Sequence, residues 1–229
     1  MKRSFIDARI EKMLRLCEYH GVALPPFARW GRTHYEADEE AARFIAARGL
    51  GWNVVEFRPG AFETDGITLF TLRMGDWREL ETKRGRLYAE KAIMCEDGQR
   101  APHHYHVVKT EDIVNRGGAR FVVELFKVDR AGAPTKERFR ALKDVSVLDL
   151  KAGDQVRLEP GQSLTLDPYV AHAFWAEGGP AIAGEVSLAN DDRADNYFVP
   201  PLPPTEAIEE DKPARFVTAR DLPLSPRVG

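Results

Sequence analysis

The most informative stretch of the sequence is Gly98-Gln-Arg-Ala-Pro-His103-His104-Tyr105-His106. His104 and His106 are separated by one residue, so on a β-strand both imidazoles point to the same face. His103 then points to the opposite face. Two neutral imidazole nitrogens on one face can share a cation, although a His-x-His pair by itself more often only packs in a core or on a surface. The stretch therefore predicts a strand that offers a pair of metal ligands.

Two later groups extend this pair. Glu111 follows His106 by five positions, so a bend or a change of strand must bring its carboxylate to the same face. A second strand–turn–strand unit carries His172 ahead of an apolar and aromatic pair, within Leu158-Glu-Pro-Gly161-Gln-Ser-Leu-Thr-Leu-Asp-Pro-Tyr-Val-Ala-His172-Ala-Phe174. Three imidazoles and one carboxylate suit a borderline divalent ion that keeps two positions for water or substrate oxygens. Manganese, iron, cobalt, nickel and zinc all meet this description.

The two motifs, in this order, resemble the two-part signature of the cupin superfamily. Its first part has a glycine, then His-x-His, then a glutamate after four intervening residues, and its second part has a glycine, a proline, a histidine and an aromatic residue. The resemblance implies a mainly β protein built on a cupin-type β-barrel, also called a double-stranded β-helix or jelly roll. It also implies that a single metal ion is bound by His104, His106, Glu111 and His172.

The rest of the chain agrees with a β-barrel that carries N-terminal helices. Apolar residues recur at helical spacing from Ser4 to about Tyr19, and acidic residues and Gly49 frame a second helix over Ala37 to Ala47. From Trp52 onward, short β-type runs alternate with turn signals, a pattern typical of antiparallel sandwiches or barrels. We expect one structural domain with three parts: a helical cap over residues 1–50, the barrel over residues 51–198 and a proline-rich tail over residues 199–229.

Composition argues against several classes of partner. The chain has 229 residues, and its 33 basic and 36 acidic residues give a net charge of −3, so it lacks the basic excess of a nucleic-acid-binding protein. No apolar stretch reaches the roughly 20 residues of a membrane span. Cys17 and Cys95 are far apart, and the charged N-terminus does not resemble a signal peptide. We expect free thiols, a cytoplasmic location and a small neutral ligand.

Four strings narrow the family further. They are Glu90-Lys91-Ala-Ile-Met-Cys, His104-Tyr-His106, Glu111-Asp-Ile-Val-Asn-Arg116-Gly-Gly and Gly184-Glu185-Val-Ser-Leu-Ala-Asn-Asp191-Asp192. Together they resemble the D-lyxose ketol-isomerase family, most clearly from Lys91 to Phe198. The resemblance implies a manganese-containing, homodimeric cupin that interconverts D-lyxose with D-xylulose and D-mannose with D-fructose.

That chemistry gives roles to residues outside the metal set. One proton must move between C1 and C2 and another between their oxygens, and a divalent metal stabilises the charge of the intermediate cis-enediolate. Glu185 is the candidate base, and Lys91 is a candidate for stabilising an oxyanion or, with a pKa lowered by burial, for relaying a proton. We expect Asp191 and Asp192 to hold sugar hydroxyls and Arg116 to shape the pocket. Surface ion pairs and a solvated turn are the alternative interpretations of these residues.

Two other functions remain open from the residues alone. A cupin dioxygenase uses the same three histidines and glutamate around iron, and oxygen consumption with a small organic acid or thiol identifies it. A non-enzymatic sugar-binding cupin binds mannose or fructose without turnover. The metal motif does not separate these functions from isomerisation, because one fold hosts many activities.

Overall fold

The computed structural model describes residues 1–192, 194–204 and 207–222. Residues 205, 206 and 223–229 of the predicted proline-rich tail lie outside the described residues. Three α-helices precede the strands: α1 (Arg3–Tyr19), α2 (Arg32–Ala37) and α3 (Glu39–Arg48). None of the helices in these ranges combines the length and the apolar run that a bilayer-spanning helix needs.

The two predicted helices correspond to α1 and α3. α1 buries an apolar face on which Ile10 and Met13 are fully enclosed. α3 begins where the carboxylate of Asp38 accepts a hydrogen bond from the Ala41 N–H at 2.9 Å, and it ends at Gly49, whose φ of 59° is left-handed. α2 was not predicted, because a helix of six residues is too short to display a 3.6-residue period.

Eleven strands among the described residues form one antiparallel sheet that curves around the core. Strands β5 and β10 are the longest and pair along most of their length. The bounds are β1 (Gly51–Glu56), β2 (Gly66–Met74), β3 (Tyr88–Cys95), β4 (Arg100–Tyr105), β5 (Glu111–Lys127), β6 (Phe139–Lys143), β7 (Ser146–Leu150), β8 (Asp154–Leu158), β9 (Ser163–Leu166), β10 (Val170–Leu188) and β11 (Tyr197–Phe198).

The sheet separates two apolar layers. Side chains that point inward, such as Val123 and Leu164, form the barrel core. Side chains that point outward from β1 and β2, such as Trp52 and Phe70, pack against α1 instead. The helical layer therefore covers one outer face of the barrel, and the mainly β class with a cupin-type barrel and N-terminal helices is confirmed.

A break in the in–out alternation of side chains along β10 determines which of them reach the interior. Ala176 and Ala181 both face the barrel core, although their separation is odd and strict alternation would put them on opposite faces. The register of β10 against β5 shifts between Glu177 and Ala181 and again between Ile182 and Ala183, and the two shifts together leave one extra residue on β10, a β-bulge. His172 and Glu185 are also an odd number of positions apart, and the bulge turns both toward the same interior.

Candidate active site

Three histidines meet at one point of the barrel interior. His104 and His172 lie opposite each other on paired strands β4 and β10, and His106 follows the end of β4. One ring nitrogen from each of the three lies within 4.8 Å of the other two, a spacing that a single metal ion can bridge. His103 points the other way, toward Glu124, with 3.2 Å between Nε2 and Oε1.

Backbone carbonyls orient all three imidazoles in the same sense. The Nδ1–H of His104 donates to the Pro102 carbonyl at 2.9 Å, and that of His172 donates to the Val170 carbonyl at 3.2 Å. His106 donates from Nδ1 to the Asp195 carbonyl. Each ring then keeps its Nε2 lone pair for the interior, which is the tautomer that a metal ligand requires. Burial, the largest effect, lowers the pKa of both His104 and His106 and keeps them neutral.

Glu111 completes the set from the first position of β5. The chain turns between His106 and Glu111, so the change of strand that the sequence requires is present. Oε1 of Glu111 lies 3.0 Å from Nε2 of His172 and 3.6 Å from Nε2 of His106. Oε1 of Glu111 and Nε2 of His106 have no hydrogen-bond partner among the described residues and are fully buried.

These orphaned acceptors fit a cation. A carboxylate oxygen and an imidazole lone pair that face each other in a dry interior are unfavourable unless something positive lies between them. With Nδ1 protonated, His172 also presents an acceptor to Glu111. Three nitrogen donors and one oxygen donor suit a borderline divalent metal. The structure thus brings together the four predicted metal ligands, and their chemistry agrees with that role.

The four residues line a cavity of about 490 Å³. Lys91, Glu185, Asp191 and Asp192 line the same cavity, so the structure brings four further predicted site residues to it. Apolar side chains, including Phe57, Phe174 and Phe198, form much of the remaining wall. A polar end beneath an apolar wall is the usual form of a small-molecule site.

Arg116 does not reach the cavity. It is exposed on β5, and its side chain lies over Gly184, whose Cβ position would be 2.9 Å from the Arg116 Nε. Strand alternation explains this placement, because Glu111 and Arg116 are an odd number of positions apart on β5 and face opposite sides.

Glu185 lies between two buried ammonium groups. Its Oε1 is 3.3 Å from Nζ of Lys91 and 2.9 Å from Nζ of Lys109. Ser187 donates its hydroxyl to the same oxygen at 3.1 Å. Burial raises the pKa of Glu185, but the positive charges of Lys109 and Lys91 together lower it by more than burial raises it. The net pKa therefore lies below the usual value, and the carboxylate is ionised.

Lys109 was not among the predicted site residues. Its side chain is only 2% exposed, and its Nζ lies 2.7 Å from Oε2 of Glu111. Burial lowers the pKa of Lys109, but Glu111 and Glu185 raise it more, so this ammonium stays charged. One signal was available in the sequence: Lys109 precedes Glu111 by two positions, which is the spacing of residues on one face of an extended chain.

Lys91 links Glu185 to Asp192. Its Nζ lies 3.1 Å from Oδ2 of Asp192, whose side chain is 47% exposed. Burial lowers the pKa of Lys91, whereas Asp192 and Glu185 raise it, and the net pKa is raised. A lysine that keeps its proton favours stabilisation of negative charge over proton relay.

Comparison with known proteins places this chain in a family. The family model described as D-lyxose isomerase matches residues 1–222. A D-lyxose/D-mannose isomerase of Escherichia coli O157:H7 is 38% identical over 96% of this chain and 98% of its own. A protein of the same name from Serratia proteamaculans is 35% identical over 96% of this chain and 97% of its own.

Solved structures give the same fold. The L-ribose isomerase of Acinetobacter sp. DL28, solved with L-ribose, superposes with a TM-score of 0.56 at 13% identity, covering 87% of this chain and 92% of that one. The L-ribose isomerase of Cellulomonas parahominis gives 0.54 at 15% identity, with the same coverage. By its sequence over nearly its whole length, the chain belongs to the D-lyxose isomerase family of sugar isomerases.

Proposed function

We propose that this protein is a divalent-metal-dependent aldose–ketose isomerase that converts D-lyxose to D-xylulose and D-mannose to D-fructose. The names of the relatives from Escherichia coli O157:H7 and Serratia proteamaculans support the two substrates. The observation that carries the chemistry is the position of Glu185. It is an ionised, buried carboxylate in the same cavity as the three histidines, with an ammonium group on either side.

The metal is proposed to be Mn²⁺, held by His104, His106, His172 and Glu111. Once bound, it supplies a positive charge that stabilises negative charge on the sugar oxygens. The ammonium groups of Lys91 and Lys109, which line the same cavity, are proposed to stabilise the same negative charge. A low-dielectric cavity makes each of these interactions stronger than it is in water.

Glu185 is proposed to move the proton between the two carbons. It removes the C2 proton, and the C2–H electron pair forms the C1=C2 bond while the C1 carbonyl oxygen takes the negative charge. The resulting intermediate is a cis-enediolate. Glu185 then returns the proton to C1, and the O2 hydroxyl loses its proton while O1 gains one, which gives the ketose. A positioned general base of this kind contributes about 10²–10⁴ in rate.

Lys109 and Lys91 are proposed to assist the base. Both stay protonated beside Glu185, so they keep its carboxylate ionised before the reaction and face the oxygens that become negative during it. Asp191 and Asp192, which line the same cavity, are proposed to accept hydrogen bonds from the distal sugar hydroxyls.

A configurational argument supports the substrate pair. D-lyxose and D-mannose share the configuration at C2 and C3, so one pocket that holds O1, O2 and O3 accepts both. D-xylose and D-glucose have the opposite configuration at C2 and cannot present O2 in the same pose. The pocket should therefore discriminate against them.

Two further properties are proposed with this function. A homodimer is supported by the family resemblance. A cytoplasmic location is supported by Cys17 and Cys95, which are both free thiols and both buried, as expected in a reducing compartment.

The test is a panel of sugars given to the manganese-loaded protein in deuterated water. We expect ketose from D-lyxose and D-mannose, little from D-xylose and D-glucose, and deuterium at C1 of the product. Absence of ketose from both D-lyxose and D-mannose would refute the proposed substrates. Complete retention of the substrate hydrogen in an active enzyme would instead point to a hydride shift, unless the Glu185→Gln variant also lost turnover.

A further inference from the structure

Three successive backbone N–H groups converge on one side chain beside the metal site. Oδ1 of Asp195 accepts from the Val107 N–H at 2.6 Å and from the Val108 N–H at 3.2 Å. Its Oδ2 accepts from the Val108 N–H at 3.2 Å and from the Lys109 N–H at 3.0 Å. A run of N–H groups around a carboxylate is an anion-binding nest, and it fixes the path of the chain that forms it.

The main chain of Asp195 has a second role. Its carbonyl oxygen accepts the Nδ1–H of His106, and its own N–H donates to the Asp191 carbonyl at 2.9 Å. Asp195 thus fixes both ends of the short segment from His106 to Lys109, the imidazole at one end and the backbone of the lysine at the other. Asp195 is 8% exposed, and it is not among the residues that line the cavity.

We propose that Asp195 is a positioning residue, which aims the His106 imidazole at the metal and sets Nζ of Lys109 between the two glutamates. The proposal rests on the proposed function, because it assigns a partner to a metal ligand and to a charged group of that site. Sequence alone gives no hint of it, since Asp195 lies far along the chain from His106.

Besides Asp195, two contacts hold the segment from His106 to Lys109. The Tyr169 N–H donates to the His106 carbonyl at 2.8 Å, and the Lys109 ammonium pairs with Glu111 and Glu185. The segment lies between the end of β4 and the start of β5, and the side chain of Val108 is 57% exposed. Without the carboxylate, three N–H groups lose their acceptor, and the main chain is free to leave the conformation that directs Lys109 inward. The His106 imidazole then rotates as well, because its Nδ1–H donates to the main-chain carbonyl of Asp195, the same residue whose carboxylate holds the three N–H groups.

The experiment compares Mn²⁺ binding by the metal-free full-length protein and by its Asp195→Asn variant, measured by calorimetry. Asparagine has nearly the same volume but only one acceptor oxygen, so the fold is kept while the nest is broken. We expect Mn²⁺ to bind about 10- to 100-fold more weakly, as is typical when a partner of a metal ligand is lost. At saturating Mn²⁺, kcat should stay at least about tenfold below that of the wild type, because Lys109 remains displaced.

Asp7→Asn is the matched control. Asp7 is 2% exposed and accepts the N–H groups of Arg215 and Phe216 at 3.2 and 3.3 Å, so it is another buried carboxylate that caps main-chain N–H groups, remote from the metal site. Its variant should lose stability without a change in Mn²⁺ affinity. Equal Mn²⁺ affinity of Asp195→Asn and wild type would overturn the positioning role alone, whereas no Mn²⁺ binding by the wild type would overturn the proposed metal site itself.

A measurement on the wild type covers the case in which Asp195→Asn does not fold. The amide hydrogens of Val107, Val108 and Lys109 should exchange with solvent far more slowly than in a free peptide, although the loop is at the surface. In an Asp195→Ser variant, the protection should fall at these amides first. Exchange of the three wild-type amides at free-peptide rates would overturn the proposal.

Discussion

Nζ of Lys109 lies 2.9 Å from Oε1 of Glu185, so a buried cation contacts the proposed base directly. The same Nζ lies 2.7 Å from Glu111, one of the proposed metal ligands. Counting Lys91 and Asp192, two ammonium groups face three carboxylates, so the charged side chains around the histidines sum to a net negative charge. A negative cluster favours a divalent cation, and the filled site then has a positive charge suited to an enediolate.

Replacing Lys109 with methionine should reduce both stability and activity. The change leaves two buried glutamates without their shared cation, and breaking a buried ion pair from one side costs about 3–5 kcal/mol. Urea unfolding of Lys109→Met should show a loss of this size, with kcat also reduced. Lys151→Met, on an exposed lysine, should change the free energy of unfolding by no more than about 0.5 kcal/mol. A Lys109→Met variant as stable as wild type would contradict the buried pair.

Loss of a histidine should reduce the metal content only when its ring faces the barrel interior. His172→Ala removes a proposed ligand, and we expect it to lose most of the one ion per chain, as measured by elemental analysis of the purified protein. His103→Ala is the control, since that ring points away from the site toward Glu124 and should keep the metal. Equal metal content in the two variants would falsify the proposed ligand set.

Glu185→Gln should separate metal binding from catalysis. The amide is nearly isosteric but cannot accept a proton at neutral pH, so kcat should fall about 10²–10⁴-fold while the metal stays bound. Glu177→Gln is the control on the same strand, because that carboxylate lies at the surface with Arg120 and Arg157. Near-normal turnover by Glu185→Gln would remove Glu185 from the proton transfer.

Two glycines test backbone geometry. Gly118 has a φ of 93°, and a Cβ there would lie 2.4 Å from the carbonyl oxygen of Pro180, whereas Gly178 has a φ of 90° with open space around it. Gly178→Ala should cost only the strain of a left-handed residue, about 1–2 kcal/mol. Gly118→Ala should cost about 1–3 kcal/mol more, because a backbone must move. Denaturant unfolding measures both, and equal losses would contradict the close approach of β5 and β10.

Both thiols should be unreactive in the folded protein. Burial raises the pKa of Cys17 to about 11, so the thiolate fraction at pH 8 is about 10⁻³. Burial raises the pKa of Cys95 as well. Titration with an aromatic disulfide reagent at pH 8 should therefore detect no thiol in the native protein and two after denaturation. Rapid reaction of a native thiol would show that one of them is accessible.

Residue spacing along single strands predicted part of the site. The one-residue gap between His104 and His106 was sufficient to place them on one face, and His103 on the other. The same alternation places Lys109 with Glu111 and directs Arg116 outward, although Arg116 was expected at the pocket and Lys109 was not predicted. Spacing is informative here because each relationship is local and depends only on the pleat of an extended chain.

Relationships between distant parts of the chain were not predictable in the same way. The contact of Lys91 with Glu185 depends on the register between β3 and β10, and the cap of Asp195 on the loop before β5 depends on where a later loop folds back. Neither has a periodic signal. The family resemblance named Lys91 and Glu185 as site residues, but only the three-dimensional structure reveals that they touch.

The bulge in β10 has a consequence for insertions and deletions. Because His172 precedes it and Glu185 follows it, the number of residues in Gly178-Gly179-Pro180 determines whether both side chains point inward. Removing a single residue from this surface segment would turn Glu185 toward solvent and Val186 inward, without altering any residue of the site. A change of two residues in the length of this segment would keep Glu185 inward, whereas a change of one would not.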